Sequence, residues 1–318
     1  MRHSYDVFLR RYRRTNMTNK EYTYRFDIFK KNVELIAQLN AAAQTATNST
    51  SSTVRFGVTQ FADWSDDEYE KFTNVEQELT RTERGLYSKS KYYPYGPWKH
   101  VKWHHQDYPQ SWDWREHDVV GRIKSQAFKC NSCWAYAVTG VVETLYAIKY
   151  GKHIDISEYE MLDCDTTNSG CTSGSTRRAM GRGLSHGFVY TKNYPKMLYS
   201  RNSCPPVGDV FVKQLYEVSP DAKTIAWFTS NFGPVALNVA IPHNYKFYQG
   251  GIMLNSYECS TMQANHAAEV VGYGVQDGIK YWIMKNSWGE GWGEGGYFRI
   301  ERGKNTCLIE SFATSAGV

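Results

Sequence analysis

The stretch KCNSCWAYA, residues 129–137, sets two cysteines three apart with an aromatic residue directly after the second. Three chemistries use such an arrangement: half of a zinc site, a redox pair at a helix start, or a nucleophile beside a structural cysteine. Zinc needs about four ligands at close spacing. Only one CxxC is present, Cys164 and Cys171 stand apart from it, and no HxxxH follows. A thioredoxin-like pair follows a strand inside a βαβ pattern, and it would leave the remaining cysteines without a purpose. The nucleophile reading needs a base, a group to orient the base and a donor for the oxyanion. Cys133 opens a helical pattern, where the helix dipole and a neighbouring imidazolium both stabilise a thiolate. His266 in ANHAAEVVGYG leads into an apolar strand, and Asn286 in MKNSWGEGWG ends another. The Asn286 oxygen can hold the second ring nitrogen of the histidine. Gln126, seven residues before Cys133, can face an oxyanion together with the Cys133 backbone N–H. Taken singly, these residues have plainer readings: a satisfied core histidine, a turn asparagine, a surface glutamine. The run WGEGWGEGGYF lacks the helix and the Lys-Ser/Thr of a phosphate loop.

The elements that must position these groups are legible as patterns. Trp134, Ala137, Val138, Val141, Leu145 and Ile148 form one helical stripe, ended by Gly151. Beyond about residue 205, GPVALNVAI, AAEVVGYGV, KYWIMKNSW and GYFRIERG read as strands, with VQDGI a hairpin-like turn. Residues 4–40 carry Phe8, Tyr12, Phe26, Phe29, Val33 and Ile36 at helical spacing, followed by a polar low-complexity loop over 41–53. RFGVTQFADWSDDEYEKF predicts a short strand and then a helix, with Ser65 as N-cap and Glu68 completing a capping box. From 74 to 107 no periodicity survives, and SKSKYYPYGPWKH reads as extended linker. A helical half followed by a β-rich half predicts an α+β protein.

The 318 residues, 41% hydrophobic and 22% charged, have the composition of an ordinary globular protein. The net charge of +5 includes Arg10, Arg11, Arg13 and Arg14, read as a solvated helix face rather than a nucleic-acid surface. No run approaches 18 apolar residues, so no membrane span is expected. The start, MRHSYDVFLRRYRR, has no apolar core of a secretory signal. Asn16 and Asn48 head formal glycosylation sequons. All seven cysteines lie between 130 and 307. An odd count in one region suits three disulfides and one thiol kept for chemistry, or else a set of buried cytosolic thiols.

Together these residues resemble the papain-family cysteine peptidases. CNSCW departs by one residue from the CGSCW signature, and His266 and Asn286 follow Cys133 by 133 and 153 residues. YPQSWDWRE at 108–116 resembles a mature N-terminus. Glu21, Arg25, Phe29, Asn32, Ile36 and Asn40 match the interspersed ERFNIN motif of the cathepsin L/F-like inhibitory propeptide. Gly57, Thr59, Phe61 and Asp63 resemble its GxNxFxD motif, with Thr for Asn. The ERFNIN intervals of four, four, three, four and four set all six residues on one helix stripe.

The resemblance implies a papain-like two-lobed fold, with a helical left lobe and a β-barrel-like right lobe. It implies a helical propeptide domain over 1–73, a linker through the cleft over 74–107 and a peptidase domain over 108–318. It implies catalysis by Cys133, His266, Asn286 and Gln126, with Trp288 shielding the Asn–His contact, and neither cofactor nor metal. The implied disulfides are Cys130–Cys171, Cys164–Cys204 and Cys259–Cys307. Ser173 and Gly174 would meet substrate backbone. Ser175, Thr176, Asn238, Ala267 and Phe312 would line the pocket for the second residue before the scissile bond. The implied partners are protein or peptide substrates, the chain's own propeptide as inhibitor and cystatin-like inhibitors. A monomer in a lysosomal or secreted setting is implied, without nucleic acid or membrane.

Four departures stand out. One residue more separates Gln126 from Cys130, Asn131 replaces a glycine and is expected at positive φ, CTSG replaces CNGG, and Leu308 replaces a glycine. The rival reading is a catalytically impaired homologue that acts as a binding or scaffold protein.

Overall fold

The computed structural model describes residues 1–12, 14, 17–47, 53–73, 75–76, 98–103, 107–126, 130–255, 259 and 261–318. The sequons at Asn16 and Asn48, most of the 74–107 linker and residues 127–129 before Cys130 lie outside the described residues.

Helices α1 (Arg2–Arg11) and α2 (Asn19–Thr47) pack through an aromatic seam, with the Tyr5 and Phe29 rings 5.0 Å apart. The polar residues of the ERFNIN stripe serve as a docking face for the backbone that follows. Arg25 makes a bidentate contact with Glu68 at 2.6 and 2.7 Å and donates to the Asp63 carbonyl at 3.1 Å. Glu21 stands 4.0 Å from Arg25 on the preceding turn. Asn32 donates to the Ala62 and Trp64 carbonyls, both at 3.0 Å. Asn40 exchanges two 2.9 Å bonds with the Phe56 backbone, as a neighbouring strand would. Ile36 is buried beneath them. These side chains replace the partners that an irregular 53–65 backbone would otherwise lack. Helix α3 (Asp66–Glu70) then starts at Ser65, with the reciprocal Glu68 capping box in place.

The remaining chain forms a helical layer and a sheet. Helices α4 (Cys133–Tyr150), α5 (Glu158–Cys164) and α6 (Thr176–Ser185) make the first. The strands that follow, with α7 (Ala222–Asn231) beside them, make the second. Helix α4 ends at Gly151, whose φ of 61° suits glycine. Its predicted stripe is only part of what it buries. Thr139, Glu143 and Thr144 are buried as well, because α4 lies between α6 and the sheet.

The strands are β1 (Arg55–Phe56), β2 (Trp98–Val101), β3 (Trp112–Asp113), β4 (Gln214–Val218), β5 (Val235–Val239) and β6 (Tyr248–Gly250). They continue with β7 (Ile252–Met253), β8 (His266–Gln276), β9 (Ile279–Lys285), β10 (Tyr297–Glu301) and β11 (Ala313–Gly317). The large sheet runs β2-β4-β11-β5-β8-β9-β10-β7, with β3 attached to β8. Its outer strands β2 and β7 do not pair with one another, so among the described residues the right lobe is an open sheet and no barrel closes. Strands β8 and β9 are joined at Asp277 and Gly278, with φ of 51° and 77°, a two-residue hairpin turn. Leu308 sits at φ 65°, a left-handed conformation that glycine adopts without strain.

Two segments ahead of residue 108 add strands to this body. β1 pairs antiparallel with β6, and β2 extends the sheet edge in parallel with β4. The apolar side chains of Phe61, Trp64, Tyr69 and Phe72 join the core of the sheet lobe.

Candidate active site

The loop before α4 is pinned on both sides. Cys130 is joined to Cys171, the Asn131 N–H donates to the Cys171 carbonyl at 2.9 Å, and the Asn131 side chain donates to the Thr172 carbonyl at 3.1 Å. Asn131 is not among the positive-φ residues, contrary to the expectation drawn from the glycine it replaces. Its side chain has a specific use instead, as a strut to the neighbouring loop. Two further disulfides join Cys164 to Cys204 and Cys259 to Cys307. Cys133 is the one cysteine outside a disulfide, and it is fully buried at the first turn of α4.

His266 begins β8 and Asn286 directly follows β9, and the β8–β9 pairing brings them together. His266 Nε2 lies 2.8 Å from Asn286 Oδ1, which also accepts the Ser287 backbone N–H at 2.8 Å. A backbone N–H can only donate, so this second bond fixes the amide with its oxygen toward the ring. Nε2 therefore carries the hydrogen and Nδ1 presents the lone pair. Nδ1 is buried and, among the described residues, has no hydrogen-bond partner. Trp288 covers the pair, its ring 4.7 Å from that of His266.

Burial sets the protonation states. It pushes the Cys133 thiol up to about 11, against hydrogen bonds from backbone groups of Ala267, Trp134 and Cys133 itself. It pulls His266 down to about 4, against the bond to Asn286. In this closed form both groups are held uncharged, because the dry cleft penalises either charge alone.

The cleft is closed by the chain's own residues 60–73, 75 and 76. Gln126 Nε2 donates to the Phe72 carbonyl at 3.3 Å and to the Cys130 carbonyl at 3.1 Å, while its Oε1 accepts from Ser287 Oγ at 2.7 Å. The Glu76 N–H donates to the Gly174 carbonyl at 3.0 Å, and Glu76 also pairs with Arg178. Val75 is buried in the cluster that holds Cys133, Trp134 and Ala267. Phe61, Tyr69 and Phe72 surround the Trp288 ring, and Gln60 donates to the Trp288 carbonyl. Thr59 Oγ1 reaches the Lys246 carbonyl at 2.6 Å, and Gly57 donates to the Phe247 carbonyl at 2.8 Å.

The other candidate subsite residues separate into two groups. Asn238 and Ala267 are register partners on β5 and β8, both buried. Gly174 lies so close to the Trp134 ring that a Cβ would sit 2.5 Å from it. Ser175 caps α6 and Thr176 begins it, while Ser173 accepts from the Ser169 N–H at 3.0 Å. Thr176 and Phe312 line a cavity of about 660 Å³ that extends past Val218 and Leu308. Among the described residues, no cluster of three or more His, Cys, Asp or Glu side chains could hold a metal ion. No described helix is long and apolar enough to cross a membrane.

The family model described as papain family cysteine protease matches residues 108–316. The chain belongs to that family. A second model, the cathepsin propeptide inhibitor domain, matches residues 5–69 of this protease. Cathepsin F of Drosophila melanogaster is 34% identical over 99% of the chain, which spans 50% of that protein's length. The thiol protease aleurain of Arabidopsis thaliana is 32% identical over 98% of the chain and 83% of its own length. Among solved structures, digestive procathepsin L 3 from the larval midgut of Tenebrio molitor superimposes with a TM-score of 0.81 at 27% identity, covering 100% of this chain and 99% of that one. Procathepsin L2 from the same source gives 0.83 at 27% identity, covering 99% of each.

The propeptide of this protease contacts the cleft through residues that motif reading did not single out. Phe72, Val75 and Glu76 carry no motif, and only their position next to Gln126, Cys133 and Gly174 marks them. Trp64 and Tyr69 could have been noted as large apolar residues in an acidic stretch.

Asp63 behaves in the opposite sense to the one expected of a paired carboxylate. Burial pushes it up to about 6, despite Arg14 at 3.4 Å and Arg25 nearby. A carboxyl that titrates higher in the fold than in the unfolded chain stabilises the fold increasingly as pH falls through its folded value. Protonating Asp63 therefore tightens the propeptide. Glu68 has the other sign: burial pushes it up, but its bonds with Arg25 and Ser65 outweigh this and hold it below 4.5. Its contribution is fully present above its unfolded value and is lost as pH falls through the lower folded one. Acid loosening is thus expected only below about pH 4.5, through Glu68. Asp63→Asn should leave the acid threshold of processing in place, whereas Glu68→Gln should give processing at higher pH. Timed mass spectra across a pH series check both.

Proposed function

We propose that the chain is the proenzyme of a cysteine endopeptidase, held inactive by residues 1–107 and released by proteolysis at acidic pH. The observation that carries this reading is the His266–Asn286 pair, its Nδ1 without a partner among the described residues, beside the cluster in which Val75 helps bury Cys133. Cys133 Sγ, having given its proton to His266 Nδ1, attacks the scissile carbonyl carbon. The tetrahedral oxyanion is met by the Gln126 amide and the Cys133 backbone N–H. The imidazolium returns its proton to the departing amine, leaving an acyl-enzyme. Water, deprotonated by His266, then attacks the acyl carbon and regenerates the thiol. In the closed form the Gln126 amide is occupied by the Phe72 carbonyl, so the donor is present but engaged. The test is a fluorogenic peptide assay during acid incubation. Turnover should appear as the chain loses about a third of its mass, residues 1–107 of 318. A chain that is cut but stays inert overturns the reading.

Gln126→Ala in the processed enzyme is expected to lower kcat by about 10²–10³ with little change in KM, the effect of losing one oxyanion donor. Steady-state kinetics at one pH decide it.

The pocket for the second residue before the scissile bond is proposed to be shallow. By resemblance, the polar Asn238 and the bulky Phe312 both stand at lining positions, which favours modest aliphatic side chains over large aromatic ones. Thr176 and Phe312 line the cavity described above, and Asn238 lies outside that lining. A positional-scanning peptide library should rank Val or Leu above Phe and Tyr there. We place the working enzyme in a lysosomal or secreted setting, where its three disulfides persist. It acts as a monomer open to cystatin-like inhibitors.

A further inference from the structure

Strand β8 reads HAAEVVGYGVQ, and its one acid, Glu269, is 1% exposed in the interior. A buried carboxyl is costly unless each oxygen finds a partner. Thr144 Oγ1 on α4 donates to Glu269 Oε1 at 2.8 Å, and Lys285 Nζ on β9 stands 3.5 Å from Oε2. Glu269 and Lys285 are register partners across the two strands. Helix α4 makes room for the carboxyl at Gly140, where a Cβ would lie 2.3 Å from Oε2. Thr144 belongs to the helix that begins at Cys133, Glu269 follows His266 by three residues on one strand, and Lys285 immediately precedes Asn286. One side chain thus touches all three elements that carry the reacting groups.

We propose that Glu269 is a positioning residue that holds the Cys133 helix in register with the His266 and Asn286 strands. Proton transfer from Cys133 to His266 depends on that register, and a displacement of about 1 Å in such a pair can cost roughly 10²-fold in rate. The same interior holds the other charges that act on Glu269. Lys124 binds Glu143 and Glu158, each at 2.7 Å, and Tyr297 faces Glu269 from β10. Burial pushes Glu269 up, opposed by Lys285, Thr144 and Lys124. A cavity of about 20 Å³ beside these groups, lined also by Ala267, Asn286 and Ser287, leaves little slack between helix and strands.

The inference rests on the peptidase reading, so the test includes a measurement that does not depend on turnover. Processed wild type, Glu269→Leu, Glu269→Gln and Thr144→Val are compared for kcat and KM, for melting temperature and for the pH profile of Cys133 alkylation by iodoacetamide. Glu269→Leu is expected to lower kcat by about 10–100-fold with KM within about threefold. The acid limb of alkylation should move to higher pH, as the thiolate–imidazolium pair becomes harder to form. Glu269→Gln, which can still accept from Thr144, should recover most of the loss. Thr144→Val should follow Glu269→Leu, and the double variant should be no worse than either. A Glu269→Leu enzyme that melts lower but keeps the wild-type kcat and alkylation profile overturns the proposal, as does a Glu269→Gln enzyme equally impaired. If Glu269→Leu does not fold, Thr144→Val decides, and an unchanged kcat and alkylation profile there overturns it. A wild type that alkylates normally yet turns over no peptide sinks the peptidase reading, while the alkylation profiles still decide this one.

Discussion

Cys133→Ala is expected to keep its full mass of 36.6 kDa through an acid incubation that shortens the wild type by about a third, and to hydrolyse no peptide. The change removes one sulfur from a fully buried position that forms no disulfide, so the three bridges and the helix start remain. Loss of activity then reports chemistry rather than unfolding. Without a nucleophile the remaining donors bind and polarise substrate but form no acyl-enzyme, and losses of about 10⁶ in kcat are the scale for such a site. A melting curve close to that of the unprocessed wild type is the control. Adding a trace of processed wild type should restore cleavage of the variant, which separates an inert substrate from an inaccessible one. Unaided processing of Cys133→Ala at the wild-type rate would mean that the cut comes from another nucleophile.

Arg25→Ala is expected to release the inhibitor domain. Arg25 is 8% exposed, and its guanidinium makes a bidentate bond to Glu68 and a third bond to the Asp63 carbonyl. Removing it leaves Glu68, whose side chain is 27% exposed, without its main cation and the Asp63 carbonyl without this donor, a loss of about 1–3 kcal/mol for a partly buried pair. The effect reaches the active site because α3 and the residues around it supply Phe61, Tyr69 and Phe72 to the Trp288 ring. The isolated propeptide carrying the change should inhibit the processed enzyme at least tenfold more weakly, and the full chain should be processed at near-neutral pH. Equal inhibition by wild-type and Arg25→Ala propeptides would mean that the ERFNIN stripe does not hold the inhibitory surface.

The sequence carried a good deal of this. The hairpin at Asp277 and Gly278, the capping box at Ser65 and Glu68 and the stop at Gly151 are local events. Each is set by a residue's own conformational preference or by neighbours within four positions. The ERFNIN stripe was legible because helical period puts its six residues on one face. The partners of that face were not, since the backbone carbonyls of Ala62, Trp64 and Asp63 carry no side-chain signature. Nor was the sign of the Asp63 titration, which follows from how completely the neighbouring aromatic residues exclude water.

By itself the chain fixed which residue types stand at which spacing: a cysteine at a helix start, and a histidine and an asparagine bounding a strand pair. Only the tertiary structure decided that His266 Nδ1 is left without a partner among the described residues, that the Phe72 carbonyl takes the Gln126 amide, and that Glu269 ties α4 to β8 and β9. The contacts that do this join segments up to 125 residues apart. Local propensity acts over one or two turns of chain, whereas burial and electrostatics act through space, and space is assigned only when the core closes.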